Sequence, residues 1–275
     1  MEKTPHPLDI SRVSEAIRTT PEYREARNDE HPTPLVIQLA SRALTEAATN
    51  QESGYRNKDG DVFNVISHME SFAEGQFALD EEKAGLTQLS GMERREAKLA
   101  VVGFNHAIKE LISNNPKLQF TEVVDFVSTM YRRTHVEEMM SLPKEQQAAQ
   151  FHNFSEAVKA SVHGMRNEVG YEQIIGELQR QDVDVDYTSD VATEDDLRGA
   201  DMFITLDGIR FPVDIKASYE SAQRENARGR HSVVWSHLEY EDFGNQFRLP
   251  VEIIQARAAY VLRDIQSARR SSLAA

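Results

Sequence analysis

The chain has 275 residues, of which 40% are hydrophobic and 28% are charged, a balance typical of water-soluble globular proteins with one large domain or two ordinary ones. It contains no cysteine, which excludes disulfides, thiolate metal sites and cysteine nucleophiles and leaves oxygen and imidazole as the available metal ligands. The formal net charge of -14 argues against a protein that coats nucleic acid nonspecifically, because phosphates repel an acidic surface.

The chain begins with MEKTPHPLDI, which lacks the apolar segment of a secretory signal, and no apolar run approaches the ~20 residues that a bilayer-spanning helix needs. We therefore expect a cytoplasmic protein without a membrane partner. The first half repeats the apolar period of amphipathic helices, most clearly over residues 33–48, 91–115 and 120–134, the last with Thr121 as N-cap. These patterns predict an α-helical domain over residues 1–142, which recognises a substrate or a protein partner.

Residues 143–275 are predicted to form a second domain that mixes helices and strands. Its first part has a helical period, and a capping signal at Asn153 favours two helices over one long helix. The segments VDVDY, MFITL and IRFPVDIKA then follow strand patterns, and Asp207-Gly208 between the last two is a strong hairpin signal. A short helix, a strand and an amphipathic helix complete the chain. Pro212 removes a backbone donor from the third strand, which predicts an edge position or a bulge there.

Three charged side chains interrupt the apolar ribbon GADMFITLDGIRFPVDIKAS, namely Asp201, Asp214 and Lys216. Residues two apart in a strand project to the same face, so Asp214 and Lys216 share a surface, and the hairpin brings Asp201 alongside. Converging carboxylates repel each other unless a divalent cation lies between them, and Mg²⁺ is commonly held by one or two carboxylates. The alternative is an ordinary exposed ion pair, worth about 0–1 kcal/mol.

The succession of a helix acid, Asp201, a hairpin and then Asp214-Ile215-Lys216 resembles the PD-(D/E)xK nuclease superfamily, which includes many restriction endonucleases and Holliday junction resolvases. The resemblance implies an α+β protein in which the helical domain is followed by a restriction-endonuclease-like αβββαβ core with a mixed sheet. It also implies a glutamate on the first core helix at the metal site. Glu168 and Glu172 are the candidates, one helical turn apart, and Glu168 is preferred because it has the spacing of a helix face that packs on a sheet.

By this resemblance the protein is an Mg²⁺- or Mn²⁺-dependent phosphodiesterase, a nuclease that acts on DNA by family majority. Asp201, Asp214 and Glu168 would be the metal ligands, and Lys216 would assist the attacking water. Weaker candidates for substrate contact are Ser218, Arg224, Arg228 and Arg230. The oligomeric state is left open, and a homodimer is one expectation, since two-strand cutting by such folds usually needs two active sites. The alternative function is a non-catalytic interaction protein that uses a nuclease-like scaffold and an acidic helical domain to bind a protein partner.

Overall fold

A computed structural model describes residues 10–27, 34–49, 61–135, 140–188, 200–227 and 233–274. The chain divides into two compact units, Met1–Val162 and His163–Ala275. The sequence patterns placed a boundary at residue 142, whereas this division falls inside a helix that runs through residues 144–180. Among the helices in the described residues, none combines the length and apolar character needed to span a membrane.

The regular elements in the described residues of the first unit are all helices. Its helices are α1 (Ile10–Arg18), α2 (Pro21–Arg27), α3 (Leu35–Thr49), α4 (Asp61–Ser67), α5 (Met69–Lys83), α6 (Gly91–Asn114), α7 (Phe120–Thr134) and the beginning of α8 (Lys144–Arg180). Helix α6 starts at a capping box, in which the Ser90 hydroxyl accepts from the Glu93 backbone N–H and the Glu93 carboxylate accepts from the Ser90 N–H.

The predicted N-cap of α7 is wrong. Helix α7 already begins at Phe120, so Thr121 lies in its first turn and Gln119 is the capping residue. The Glu122 carboxylate accepts from the Gln119 backbone N–H at 3.4 Å and from the Val36 backbone N–H at 3.2 Å. A carboxylate three residues after the cap satisfies a free donor at the helix start, which a threonine inside the first turn cannot do in the same way.

Stacked aromatic rings lie in the core of the first unit, and one of them, Phe154, belongs to α8. The ring centroids of Phe72 and Phe104 are 4.1 Å apart, those of Tyr131 and Phe154 are 3.8 Å apart, and Phe154 is fully buried. The predicted break near Asn153 is therefore wrong, because α8 continues through it to Arg180. Burial of the Phe154 ring outweighs a local capping preference worth about 1 kcal/mol.

The second unit contains a four-stranded mixed sheet in the order β1-β2-β3-β4. Its elements after α8 are β1 (Val185–Thr188), β2 (Met202–Leu206), β3 (Ile209–Lys216), α9 (Tyr219–Ala227), β4 (Val233–Trp235), α10 (Tyr240–Phe243) and α11 (Val251–Ala274). Strands β1, β2 and β3 pair antiparallel, and β4 is parallel to β3. The chain is thus an α+β protein whose sheet lies in its C-terminal half.

The predicted β2–β3 hairpin is confirmed. Asp207 and Gly208 both have positive φ, at 48° and 73°, which is the backbone that a two-residue type I′ turn requires. Leu206 pairs with Ile209 directly across this turn. The turn therefore fixes the register of the two strands, and with it the residues that lie opposite each other at the far end of the hairpin.

Pro212 lies in an inner strand of the described sheet, so the expected edge position is wrong for β3 as a whole. It pairs with Phe203 of β2, and its own side chain is exposed. On the other side of β3, β4 pairs only with residues 214–216. Pro212 therefore precedes the stretch that pairs with β4. At this position the backbone N–H that proline lacks is not needed for the described β3–β4 pairing.

One face of the sheet packs against both α8 and α11. Apolar residues from the two helices, the four strands and the segments around α10 form a single buried cluster, which includes Tyr171, Ile215, Val234 and Val261. Gly170 lets α8 approach the segment after β4, because a Cβ added there would lie 2.8 Å from both Leu238 Cδ1 and Phe243 Cζ. This close approach fixes α8 against the segment that follows β4.

Candidate active site

Asp201 is tied to β3 by two backbone contacts. Its carboxylate Oδ2 accepts from the Ile215 N–H at 2.6 Å, and its own N–H donates to the Val213 carbonyl at 2.9 Å. Because Met202 pairs with Val213, Asp201 stands beside Asp214 at the start of the hairpin ladder. The hairpin register therefore brings Asp201 and Asp214 together, as the strand spacing predicted.

Asp214 and Lys216 form a partly buried ion pair on one face of β3. Lys216 Nζ donates to Asp214 Oδ1, and Asp214 is only 4% exposed. Burial lowers the pKa of Lys216, but the adjacent Asp214 carboxylate outweighs this effect and the net shift of the pKa is upward. Lys216 is therefore a cation at neutral pH, which suits it to offsetting negative charge and not to accepting a proton.

The second carboxylate oxygen of Asp214 has no hydrogen-bond partner among the described residues, although it is buried. A buried carboxylate oxygen without a donor carries a desolvation cost of about 1–3 kcal/mol or more. Such an atom is unusual in a folded core, and a missing ion or water is one of its ordinary explanations. The Asp214 Oδ2 atom is thus an open coordination position.

Glu168 of α8 belongs to the same electrostatic group. Burial raises the pKa of Asp201 well above its ordinary value, and the nearby Glu168 and Asp214 carboxylates raise it further, against the smaller opposing effects of Lys216 and the Ile215 N–H. Glu168 is buried, whereas Glu172 is partly exposed and is not among the groups that shift the pKa of Asp201. Of the two candidate glutamates, Glu168 is therefore the one whose carboxylate acts on the pKa of Asp201, although the Oε1 atom of Glu172 is also buried.

These carboxylates have the donor chemistry that Mg²⁺ and Mn²⁺ prefer, since both ions take oxygen ligands. The Asp214 Oδ2 atom lacks a partner in the part of the chain that the structure describes, and the pKa of Asp201 is raised first by burial and then by two neighbouring carboxylates, so the site has room for a cation that would balance these groups. Across the described ranges, however, no group of three or more His, Asp or Glu side chains stands in a ready-made arrangement for a metal ion. The residues fit such an ion in chemistry, and Asp201 and Asp214 are the pair best placed to hold it.

Two residues that the sequence patterns did not select fix α8 at this site. Asn167 Oδ1 accepts from the Ser236 hydroxyl at 2.9 Å, across 69 residues of chain, and both side chains are buried. The Ser236 N–H in turn donates to the Lys216 carbonyl at 3.0 Å. This chain of contacts links the helix turn that carries Glu168 to the end of the strand that carries Lys216. No local sequence signal marks a partner so far away.

Arg166 anchors the same turn of α8 from the other side. Its guanidinium carbon lies 4.5 Å from the ring centroids of both Tyr240 and Phe243, and Nη1 donates to the Gly244 carbonyl at 3.2 Å. Burial lowers the pKa of Arg166 to about 10, so the side chain remains a cation at neutral pH. Arg166 therefore stabilises the position of its neighbours Asn167 and Glu168 through packing on α10.

The weaker candidates for substrate contact are placed only in part. Ser218 Oγ accepts from the Ser221 N–H at 3.2 Å, which is the ordinary role of a residue that caps a helix start. Arg224 is exposed on α9, where Nη2 donates to the Ser221 hydroxyl at 3.2 Å. Arg228 and Arg230 lie outside the described residues.

Comparison of this chain with models of protein families, with curated proteins and with solved structures finds no match.

Proposed function

We propose that this protein is a metal-dependent nuclease of the PD-(D/E)xK type that hydrolyses phosphodiester bonds, in DNA by family majority. One observation carries the proposal. The β3 backbone holds Asp201 beside Asp214, within electrostatic range of Glu168, and the Lys216 ammonium lies against Asp214 on the same strand. Two aspartates, a helix glutamate and a lysine on the Asp-x-Lys strand are the residue types and positions that the nuclease resemblance implies.

The order of elements around this group supports the same proposal. Helix α8 is followed by β1, β2 and β3, then by α9 and β4, and the sheet that they form is mixed. This is the succession that the family core would have. The candidate residues occur at the end of the antiparallel hairpin, next to the parallel strand, as they would in that core.

In the proposed reaction Asp201, Asp214 and Glu168 would hold Mg²⁺ or Mn²⁺. When bound, such an ion supplies Lewis-acid chemistry and lowers the pKa of water that it contacts. Hydrolysis forms a bond between a water oxygen and phosphorus and breaks one phosphorus–oxygen ester bond, while the water loses a proton and the leaving oxygen gains one. The Lys216 ammonium offsets the charge that develops on the phosphoryl oxygens, an electrostatic role that its raised pKa allows at neutral pH.

The proposal is tested by incubating the full chain with plasmid DNA, single-stranded DNA, branched DNA and RNA, in Mg²⁺, in Mn²⁺ and in EDTA. We expect cleavage of at least one substrate with either metal ion and none in EDTA. Asp214→Asn should reduce the rate by about a hundredfold or more, because it removes charge from the oxygen that is open for coordination. Asp186→Asn, at an exposed acid on β1, is the matched control and should cleave at the native rate.

The opposite outcomes are equally definite. If the native chain cleaves none of the four substrates with either metal ion, the non-catalytic interaction protein becomes the better account of the fold. If cleavage survives in Asp214→Asn at the rate of the Asp186→Asn control, the reaction takes place elsewhere and the proposed site is wrong.

A further inference from the structure

A row of four rings runs along the β4 edge of the described sheet. The ring centroids of Tyr219 and Trp235 are 5.5 Å apart, those of Trp235 and His237 are 4.2 Å apart, and those of His237 and Tyr260 are 5.6 Å apart. The two ends of the row face solvent, since Tyr219 is 53% exposed and Tyr260 is 48% exposed. The planes of neighbouring rings are inclined to each other by 60°, 43° and 31°, so planar groups would stack on individual rings, most readily on the exposed ones at the two ends.

His237 has a strained backbone conformation in this row, and its ring contacts the Asp264 carboxylate. Its φ is 58°, a left-handed backbone conformation that costs free energy and persists only where the surroundings impose it. Its ring contacts Trp235, and its Nε2 lies 2.8 Å from Asp264 Oδ2 on α11. The ring is therefore fixed in orientation, and the Asp264 carboxylate is fixed with it.

A cavity of about 360 Å³ opens beside the row, between α9, β4 and α11. Its apolar wall comes from Ala222, Val233 and Val234, and its polar groups include Asn226, Ser267 and Asp264. Tyr219 and Trp235 belong to both the row and the cavity wall. A cavity of this size, with aromatic walls and a few polar groups, suits a planar heterocyclic ligand.

The cavity lies one strand away from the proposed active site. Trp235 pairs with Lys216 across the parallel β4–β3 ladder, so their side chains project to the same face of the sheet and their backbones are about 5 Å apart. Helix α9 contacts both β3 and β4, so it also lies next to this end of the sheet. A ligand seated against Trp235 therefore extends toward Lys216 over a distance comparable with one nucleotide.

Positive groups flank the row, although the chain as a whole is acidic. Arg263 lies over the Tyr260 ring, 5.5 Å from its centroid, and its side chain is 66% exposed. Arg224 is exposed on α9, the helix that provides Tyr219. Guanidinium groups beside stacked rings bind phosphates next to stacked bases, the combination found where proteins hold single strands.

We propose that this cavity binds a nucleobase, guanine best, and that the substrate is an unpaired nucleic acid strand whose bases stack on Tyr219, Trp235 and Tyr260. This inference rests on the proposed nuclease function and narrows its substrate. Guanine fits because its ring N–H and amino group are adjacent donors, and the Asp264 carboxylate still has lone pairs to accept them. Its Oδ1 lies 3.9 Å from Arg263 Nε, and its Oδ2, which lies 2.8 Å from His237 Nε2, has a further lone pair. A base inside a duplex is stacked on its neighbours and cannot enter such a cavity without leaving the helix.

The test uses the intrinsic fluorescence of Trp235, which is the only tryptophan in the sequence. The full chain is titrated in EDTA with guanosine 5′-monophosphate and, separately, with uridine 5′-monophosphate. We expect saturable quenching, with guanosine monophosphate bound about tenfold more tightly, because uracil turns carbonyl oxygens toward Asp264 on both sides of its N–H. Equal binding of the two, or no saturable quenching by either, would overturn the inference.

Two variants check that the quenching reports this cavity. Ser267→Phe fills the cavity from an exposed position on α11 and should weaken guanosine monophosphate at least about tenfold, as loss of one base stack does. Gln266→Phe adds the same ring at the neighbouring exposed position, which does not line the cavity, and should bind as the native chain does. If both variants bind like the native chain, the nucleobase lies elsewhere and the inference is wrong.

Different experimental results would contradict the base site and the proposed nuclease function. Asp214→Asn should retain the quenching, because the titration in EDTA needs neither metal nor cleavage. Quenching without cleavage of any substrate would leave the base site standing and remove the catalytic proposal. Metal-dependent cleavage without quenching, or equal rates on single-stranded and duplex DNA, would leave the nuclease standing and remove the base site.

Discussion

The carboxyl group of Asp201 meets three influences that favour its neutral form, namely burial and the neighbouring carboxylates of Glu168 and Asp214. Its pKa is therefore raised well above the ordinary value for an aspartate. The contact with the Ile215 N–H opposes this shift but does not cancel it. The chain thus keeps an acid where its charge is unfavourable, which is typical of functional sites and rare where only stability is selected.

A pH dependence of stability follows from the Asp201 shift. In the unfolded chain Asp201 titrates near its ordinary pKa of about 3.9. Between that value and the higher folded value, folding takes up a proton, so this group makes the free energy of unfolding fall as pH rises through the window. The full destabilisation is present above the folded pKa, where both states have lost the proton.

Asp201→Asn should therefore raise the melting temperature in EDTA at pH 8, and the gain should shrink toward pH 4. An asparagine keeps an oxygen that can accept from the Ile215 N–H, so the variant tests the charge and not the hydrogen bond. Melting curves of the native chain, Asp201→Asn and the exposed control Asp186→Asn across this pH range measure the effect. A variant that is less stable than the native chain at pH 8 in EDTA would show that the charge is already balanced.

At the scale of the elements, α8 packs closely against the segment that follows β4, and this packing holds Glu168 in place. Gly170 follows Glu168 by two residues on the helix. Because it has no side chain, it leaves room for Leu238 and Phe243, which are both buried. Gly176, on the same helix, has no atom within 4 Å of an added Cβ. The two glycines therefore separate the cost of a steric clash from the general gain in helix propensity.

Gly170→Ala is expected to destabilise the protein by about 1–3 kcal/mol, because Leu238 and Phe243 must shift to admit the methyl group. Gly176→Ala should stabilise it by about 0.5–1 kcal/mol through helix propensity alone. Urea unfolding of the two variants and the native chain measures both values. Equal stability of the two variants would contradict the close approach of α8 to the segment after β4.

Elements with a local cause could be predicted from the sequence, and those with a distant cause could not. The β2–β3 hairpin depends on Asp207 and Gly208 alone, so its register, and the meeting of Asp201 with Asp214, were predictable. The continuity of α8 depends on burial of Phe154 against rings distant in sequence. A local capping signal was therefore outweighed by packing that the sequence order does not reveal.

The same reason explains which site residues escaped prediction. Asn167 meets Ser236 and His237 meets Asp264 only after the sheet has formed, across 69 and 27 residues respectively. Neither pair belongs to a short motif, so the sequence offers no signal for them. Glu168 could be preferred over Glu172 because helical spacing is a local property, and the Glu168 carboxylate contributes to the raised pKa of Asp201.

For the whole molecule, every residue that the proposed function uses belongs to the unit His163–Ala275. The proposed strand-binding row and the carboxylate group both lie at the ends of β3 and β4, where the sheet changes from antiparallel to parallel pairing. The net charge of -14 repels a nucleic acid strand at long range, so divalent cations should strengthen the binding of a strand as well as support the chemistry, whereas a single nucleotide binds without them.

The central claim is that Asp201 and Asp214 hold a divalent cation. The measurement that tests it most directly is anomalous X-ray scattering from crystals of the full chain soaked in Mn²⁺. We expect an anomalous peak for a manganese ion bound by Asp214 Oδ2 and the Asp201 carboxylate, with the Glu168 carboxylate turned toward the ion. Crystals of Asp214→Asn should show no such peak. Native crystals without a peak at these carboxylates, in which Lys216 still pairs with Asp214, would contradict the claim.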